Sequence, residues 1–142
     1  MIHLDTNYLI GLLVKASPEA AVVDGWLGAG QTLAASTIAW TEFLNGPVTL
    51  VEVTQAEAVI GGRIIPFGQP EAVMAADLFN KTGRRRGSRF DCLIAATAVL
   101  AHAEVATVNQ ADFTPFQAYG LKLATPPTTA QPPAAPPPVA SS

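Results

Sequence analysis

Four short polar segments interrupt an otherwise apolar chain, and each of them contains a carboxylate. The carboxylates belong to Asp5, Glu42, Asp91 and Asp112. Each one follows a predicted strand or lies in the helix after it, and parallel strands bring such positions to one edge of a sheet. Carboxylates that share a cleft repel one another, and a bound cation relieves that repulsion. The pattern therefore predicts a metal-dependent site for phosphoryl chemistry.

The residue types also indicate which metal such a site would take. A set of oxygen ligands without Cys or clustered His favours Mg²⁺, with Mn²⁺ as a substitute, over zinc. Three neutral side chains close to the acids, those of Asn7, Thr107 and Asn109, are expected to supply further oxygens or to orient a metal-bound water.

Each acid also has a purely structural explanation. Asp5 and Asp91 stand where the N-caps of helices are found, and Asp112 before Phe113 could open a tight turn. Glu42 falls in the middle of a predicted helix, where most glutamates are simply solvated. The metal-site hypothesis depends on the joint pattern and not on any single acid.

Composition limits the class of protein. The chain has 142 residues, the size of one domain, and it is 49% hydrophobic but only 13% charged. A net charge of −3 excludes nucleic-acid binding through overall charge, so any such contact needs a local basic patch. The single cysteine, Cys92, excludes an internal disulfide and agrees with a cytoplasmic protein. No signal peptide is expected, and the longest apolar stretch, 92–101, is too short to span a bilayer.

Strand and helix patterns alternate along the chain. The predicted strands cover residues 2–4, 32–35, 64–67, 104–108 and 121–124. The predicted helices cover residues 6–14, 18–27, 37–45, 54–61, 71–82 and 90–101. We place one helix start at Thr54 because Thr54 and Glu57 have the spacing of a capping box. The alternation predicts an α/β fold with a mainly parallel sheet of four or five strands covered by helices on both faces.

A domain boundary is predicted near residue 125. The segment 126–142 contains seven of the twelve prolines and no charged residue, and alanine is its other common residue. Such a composition buries too little apolar area to offset the entropy of ordering. We therefore expect a folded domain over 1–125 and a disordered Pro/Ala-rich tail over 126–142.

The polar segments and their surroundings resemble those of PIN-domain ribonucleases, most closely the VapC-type toxins of type II toxin–antitoxin pairs. The resemblance covers most of 1–125, and departs at Glu104 and in the tail. The matching stretches are Leu4-Asp5-Thr6-Asn7, Ala39-Trp40-Thr41-Glu42-Phe43, Phe90-Asp91-Cys92-Leu93-Ile94-Ala95-Ala96-Thr97-Ala98 and Thr107-Val108-Asn109-Gln110-Ala111-Asp112-Phe113.

The resemblance implies a three-layer PIN-like fold and Mg²⁺-dependent endonucleolytic cleavage of RNA. By position, the catalytic acids would be Asp5, Glu42, Asp91 and Asp112, with Thr107 and Asn109 as polar auxiliaries. Metal would be held by Asp5, Asp91 and Asp112. The implied partners are a tRNA or ribosomal RNA substrate, a cognate antitoxin and a second copy of the chain in a homodimer.

Five of the eight basic residues lie between Lys81 and Arg89. A run of this kind is often only a solvated loop. It also comes directly before Asp91, so its charges could neutralise RNA phosphates at the mouth of the acidic cleft. The candidate RNA-binding residues are Arg84, Arg85, Arg86 and Arg89.

Two other functions fit parts of the sequence. A phosphatase of the haloacid dehalogenase type also has an Asp after its first strand, but it usually has a second acid two positions later, where this chain has Asn7. A non-catalytic RNA- or protein-binding module could keep the acids for packing or regulation. His3 and His102 accompany no Gly-x-Ser-x-Gly motif, so a Ser–His–Asp hydrolase is not expected.

Overall fold

The computed structural model describes residues 1–127, and its centre is a sheet of five parallel strands. The strands are β1 (Ile2–Leu4), β2 (Leu33–Ser36), β3 (Ile64–Ile65), β4 (Glu104–Ala106) and β5 (Lys122–Leu123). Their spatial order is β3-β2-β1-β4-β5, and every neighbouring pair is parallel. The predicted parallel sheet is confirmed.

The strand order makes β1 the centre of the sheet. His3 pairs in register with Ala34 of β2 on one side and with Val105 of β4 on the other. The chain proceeds outward from β1 to β3 and then returns to β4 on the opposite side of β1. The carboxyl ends of β1 and β4 therefore border the crevice at which ligands bind in open α/β sheets.

Helices connect these strands within residues 1–127. They are α1 (Thr6–Gly11), α2 (Pro18–Gly28), α3 (Thr37–Leu44), α4 (Leu50–Val59), α5 (Gln69–Lys81), α6 (Arg89–Leu100) and α7 (Gln110–Phe113). Two 3₁₀ turns, Arg86–Ser88 and Thr114–Tyr119, precede α6 and follow α7. The predicted α/β class is confirmed.

Helix α6 is the most deeply buried of these helices, as its apolar sequence predicts. Six of its twelve residues are buried, and it packs against α3, α5 and the sheet. Alanine at Ala95, Ala96 and Ala98 lets the neighbouring elements approach closely, while Phe43, Phe113 and Phe116 fill much of the remaining core. These contacts hold the beginning of α6 in a defined place beside the sheet.

Two predicted helix boundaries are wrong by three residues or more. Helix α1 ends at Gly11 and turns follow, whereas the prediction continued it to Val14. Helix α4 begins at Leu50 and not at Thr54, because a complete capping box is formed by Thr49 and Glu52. The same Thr-x-x-Glu spacing occurs at both places, so spacing alone does not choose between them.

The histidines have structural positions, as expected. His3 is fully buried in β1, and neither ring nitrogen has a hydrogen-bond partner within the described part of the chain. Burial, together with the nearby N-terminal charge, lowers the pKa of His3 to about 4. His102 follows the C-cap of α6, Ala101, and has a left-handed backbone, φ 53°.

The last described residues pack against α2. The Trp26 indole donates a hydrogen bond to the carbonyl of Thr125 at 3.0 Å, just beyond β5. The predicted tail lies outside the described residues from 128 onward. Within 1–127, no helix has the length and apolar character needed to cross a bilayer.

Candidate active site

Asp5 stands where β1 ends and α1 begins. Its backbone N–H donates to the carbonyl of Ala106 at 2.9 Å, which ties the ends of β1 and β4 together. Its Oδ1 accepts from the backbone N–H of Thr6 at 2.8 Å, so Asp5 is the N-cap of α1. The side chain is only 6% exposed, yet it lies at the crevice and has lone pairs to spare. Asp5 is therefore a helix cap and also a candidate ligand.

Thr107 holds the second oxygen of this carboxylate. It follows β4, is buried, and donates from its hydroxyl to Asp5 Oδ2 at 2.9 Å. The same hydroxyl accepts from the backbone N–H of Asn109 at 3.0 Å. The Asn109 side chain is exposed and does not cap α7. Of these two predicted auxiliaries, Thr107 acts through its side chain and Asn109 through its backbone.

Glu42 joins the cluster through a residue that the sequence analysis did not select. The Thr6 hydroxyl donates to Glu42 Oε1 at 3.2 Å, while the Thr6 backbone N–H holds Asp5. Glu42 lies in the second turn of α3 and is half-buried. The available signal for Thr6 was its position between Asp5 and Asn7. Asn7 itself is exposed and makes no side-chain hydrogen bond within residues 1–127.

Asp91 and Asp112 line the same cleft. Helix α6 leads down into β4, so its first turn lies at the carboxyl edge of the sheet, and Asp91 is in that turn. Asp112 is exposed in the short helix α7 after β4. The cleft has a volume of about 270 Å³ and is lined by Arg85, Gly87, Ser88, Asp91 and Asp112.

The electrostatics show that the four acids share one neighbourhood. Burial and, after it, the charges of Asp5, Asp112 and Glu42 raise the pKa of Asp91 to about 6, while the charge of Arg85 opposes them. Burial also raises the pKa of Asp5, against the hydrogen bonds from Thr6 and Thr107. The pKa of Glu42 is raised by burial and by the Asp5 charge. The excess of negative charge is what a divalent cation would neutralise.

The acids are near one another without forming a closed set of ligands. Within residues 1–127, no group of three or more Asp, Glu, His or Cys side chains is placed so that it could hold a metal ion. Charge repulsion acts over longer distances than metal–oxygen bonds of roughly 2.0–2.6 Å, so the two observations agree. The chemistry of the donors, oxygen atoms with surplus negative charge, fits Mg²⁺ or Mn²⁺.

The arginines of the basic run have different positions. Arg85 lines the acidic cleft, and its carbonyl accepts from the buried Ser88 hydroxyl at 2.8 Å. Arg84 and Arg89 instead lie over the ring of Phe79 on α5, at 5.9 and 5.3 Å. Arg86 is exposed in the 3₁₀ turn. The four therefore do not form one continuous patch in the cleft.

This combination of a 3-2-1-4-5 parallel sheet and an acidic crevice between β1 and β4 agrees with the comparisons with known proteins. Residues 2–114 match the PIN domain family, and the chain belongs to that family. The predicted resemblance is thus confirmed at the level of family and fold, and the haloacid dehalogenase alternative is set aside. No curated protein is significantly similar to the chain in sequence.

Several solved toxin–antitoxin structures share this fold. A toxin–antitoxin complex from Klebsiella pneumoniae aligns with a TM-score of 0.68 at 24% identity, over 89% of this chain and 98% of the other. FitAcB from Neisseria gonorrhoeae gives 0.67 at 24% identity, with the same coverage. VapBC2 from Rickettsia felis, bound to a DNA fragment from its promoter, gives 0.60 at 23% identity, over 87% and 98%. At these identities the likeness establishes the fold alone.

Proposed function

We propose that the protein is a Mg²⁺-dependent endoribonuclease and the toxin of a toxin–antitoxin pair. The observation that carries the proposal is the gathering of four acids at one edge of the sheet: Asp5 and Glu42 are joined through Thr6, and Asp91 and Asp112 line one cleft. Perturbed acids in a cleft at the switch point of a parallel sheet are typical of a catalytic site. Membership of the PIN family, whose members are generally nucleases, supports hydrolysis.

The residues of the chain would divide the work in a simple way. Asp5, Asp91 and Asp112 would hold the metal, and Glu42 would complete the acidic site. When bound, the ion would supply electrophilic stabilisation of a phosphodiester and a more acidic water. Thr6 and Thr107 donate to carboxylate oxygens of the site and so fix their orientation. Arg85 places one positive charge at the cleft, where an RNA phosphate could pair with it.

The partners are proposed from the similar structures. The Klebsiella structure is described as a toxin–antitoxin complex, and we infer that this chain also has a cognate antitoxin. We further propose a homodimer, a tRNA or ribosomal RNA substrate and a cytoplasmic location. Coexpression with the neighbouring open reading frame, followed by affinity purification, tests the antitoxin directly. Recovery of a toxic protein that never copurifies with that product would contradict the pairing.

The nuclease proposal is tested by cleavage of total RNA with purified protein. We expect cleavage with Mg²⁺, loss of cleavage with EDTA, and recovery when Mg²⁺ or Mn²⁺ is added back. Asp91→Asn should lower the rate of cleavage by a factor of about 100 or more while the circular dichroism spectrum stays that of the folded protein. Asp24→Asn, an exposed acid on α2, is the matched control and should cleave normally.

The alternative, a non-catalytic binding module with the same fold, predicts a different result. Such a protein would bind RNA or a protein partner with the same affinity in EDTA and in Mg²⁺. Neither the parent nor any variant of the four acids would form cleavage products. Metal-dependent cleavage that persists unchanged in Asp91→Asn would point to a contaminating nuclease and would overturn the assignment of this residue.

A further inference from the structure

A second cavity opens beside the acidic cleft, between α5 and α6. Its volume is about 470 Å³, several times that of a nucleobase, and no part of the proposed reaction uses it. The lining is largely apolar, with a single positive charge. It consists of Phe67, Ala72, Ala75, Ala76, Phe79, Arg89, Cys92 and Leu93.

The rim of this cavity has the chemistry of a stacking site. The Arg89 guanidinium lies 5.3 Å from the centre of the Phe79 ring, and Arg84 lies 5.9 Å from the same ring. Arg84 is held further by a 3.0 Å hydrogen bond to Asn80 Oδ1. Single-stranded RNA is commonly bound through bases that stack on aromatic rings and guanidinium planes. Phe79 is only partly buried, so part of its surface remains available.

The cavity and the acidic cleft lie on different sides of the start of α6, and this helix contributes residues to both. Arg89 and Asp91 are two residues apart, which places them about 200° apart around the helix. Cys92 lines the cavity and directly follows Asp91 in the chain. An RNA strand that passes around the beginning of α6 would place nearby nucleotides in the cleft and in the cavity.

Charge distinguishes this cavity from the larger one on the molecule. A groove of about 590 Å³ between α5 and the end of α6 is lined by Gln69, Pro70, Val73, Met74, Asp77 and Leu100. Its one ionisable lining residue is Asp77, which pairs with Lys81 at 2.9 Å, so the lining offers no positive charge to a phosphate backbone. The cavity beside Arg89 combines apolar walls with cations at the rim, and this combination suits a nucleotide: a flat apolar base with a negative phosphate.

We propose that the cavity between α5 and α6 is a nucleobase-binding subsite, in which an unpaired base next to the scissile phosphate stacks against Phe79 and Arg89. The proposal rests on the proposed function, because it assumes an RNA substrate in the acidic cleft. It adds a place for one base of that substrate, which must be unpaired and out of its stack to enter the cavity. The subsite contributes binding and register, and the cleft performs the chemistry.

The test measures binding without cleavage, in an Asp91→Asn background with Mg²⁺. Arg89→Lys keeps the charge and removes the planar guanidinium, so it should weaken binding of a short single-stranded RNA about tenfold. The same measurement is made with a series of oligonucleotides, each of which lacks the base at one position. When the missing base is the one that occupies the subsite, the Asp91→Asn protein and the Asp91→Asn/Arg89→Lys double variant should bind with equal affinity. Phe79→Leu should give the same pattern, while Lys15→Arg, at an exposed lysine in the turns after α1, should have no effect.

The outcomes separate this proposal from the nuclease assignment. If Arg89→Lys weakens binding of every abasic oligonucleotide as much as that of the intact RNA, Arg89 acts only through its charge and the subsite is overturned. Loss of self-association in Arg89→Lys, with RNA affinity unchanged, would make the cavity an interface between two copies and would also overturn it. If the Asp91→Asn protein binds no RNA at all, the subsite is overturned as well. Base-dependent binding by a protein that never cleaves RNA would retain the subsite and reject the nuclease.

Discussion

The acids of the cleft differ in how well their charge is supported. Asp5 is nearly inaccessible, but each of its oxygens accepts a hydrogen bond, one from Thr6 and one from Thr107. Asp91 is half-buried, and its pKa is raised to about 6 by burial and by three neighbouring carboxylates. In the metal-free protein the negative charge of Asp91 is therefore a source of instability, and that charge is available to a cation.

Asp91→Asn should stabilise the metal-free protein near neutral pH. Because the folded pKa of Asp91 is about 6 and the ordinary value is 3.8, the folded state binds the proton more tightly. Ionisation above pH 6 therefore costs stability, and the cost disappears as the pH falls below 4. The gain at pH 7.5 should be about 1 kcal/mol, reduced from the full shift because the side chain is half-exposed.

Urea denaturation in EDTA at pH 7.5 and pH 4 measures this effect. Asp24→Asn, an exposed acid on α2, is the control and should leave both curves in place. A variant at Asp91 that is less stable than the parent at pH 7.5 would show that the carboxylate is supported by contacts and not opposed by its neighbours.

Thr107→Val should separate the hydroxyl of Thr107 from its volume. The substitution leaves Asp5 Oδ2 and the Asn109 N–H without their partner in a buried place, which should cost about 1–3 kcal/mol. Thr107→Ser keeps the hydroxyl and should lose much less stability than Thr107→Val. Denaturation gives the stability, and calorimetric titration with Mg²⁺ should show weaker binding in the Val variant only. Equal Mg²⁺ affinity in both variants would contradict the orienting role.

At the scale of the element, the beginnings of helices position the site. Asp5 is the N-cap of α1, α6 begins two residues before Asp91, and both starts lie at the carboxyl edge of the sheet. The backbone N–H groups at these starts favour negative charge, which reduces the repulsion among the acids. Helix α1, with 6 residues, and helix α6, with 12, thus place two distant parts of the chain at one crevice.

The start of α4 provides an element-scale prediction. Thr49→Ala removes the cap that accepts from Glu52 N at 3.2 Å and should cost about 1 kcal/mol. Thr54→Ala is the matched control: Thr54 is exposed inside the helix and donates only to the Leu50 carbonyl. Loss of the Thr54 hydroxyl should change the free energy of unfolding by less than about 0.5 kcal/mol. Thermal unfolding of the two variants compares them, and the reverse order would restore the predicted start at Thr54.

At the scale of the whole molecule, the described core is complete by residue 127. Strand β5 pairs with β4, and the Trp26–Thr125 hydrogen bond joins the segment after β5 to α2. Removal of residues 128–142 should therefore leave the melting temperature within about 1 °C of the parent. Removal of residues 121–142 deletes β5 and the Trp26–Thr125 hydrogen bond, and should lower the melting temperature by several degrees. A large loss in the shorter deletion would place the domain boundary beyond residue 127.

Much of the architecture was predictable, because periodicity and the types of residue at element ends are local properties. The five strands and the buried helix α6 follow from such patterns, and the family follows from the resemblance of four short stretches. The exact start of α4 did not, since two threonines offer the same spacing and only the structure shows that Thr49 forms the capping box. The selection of candidate acids was possible for a different reason: carboxylates stand out in a chain with few charges.

The amino-acid sequence by itself determined the fold class, the family and which acids could form a site. Only the tertiary structure decided how those acids are supported. It identified Thr6 as the link between Asp5 and Glu42, and it separated Arg85 in the cleft from Arg84 and Arg89 over Phe79. The physical reason is that hydrogen bonds and stacking join residues far apart in the chain, such as Asp5 and Thr107, and no local pattern records their distance or direction.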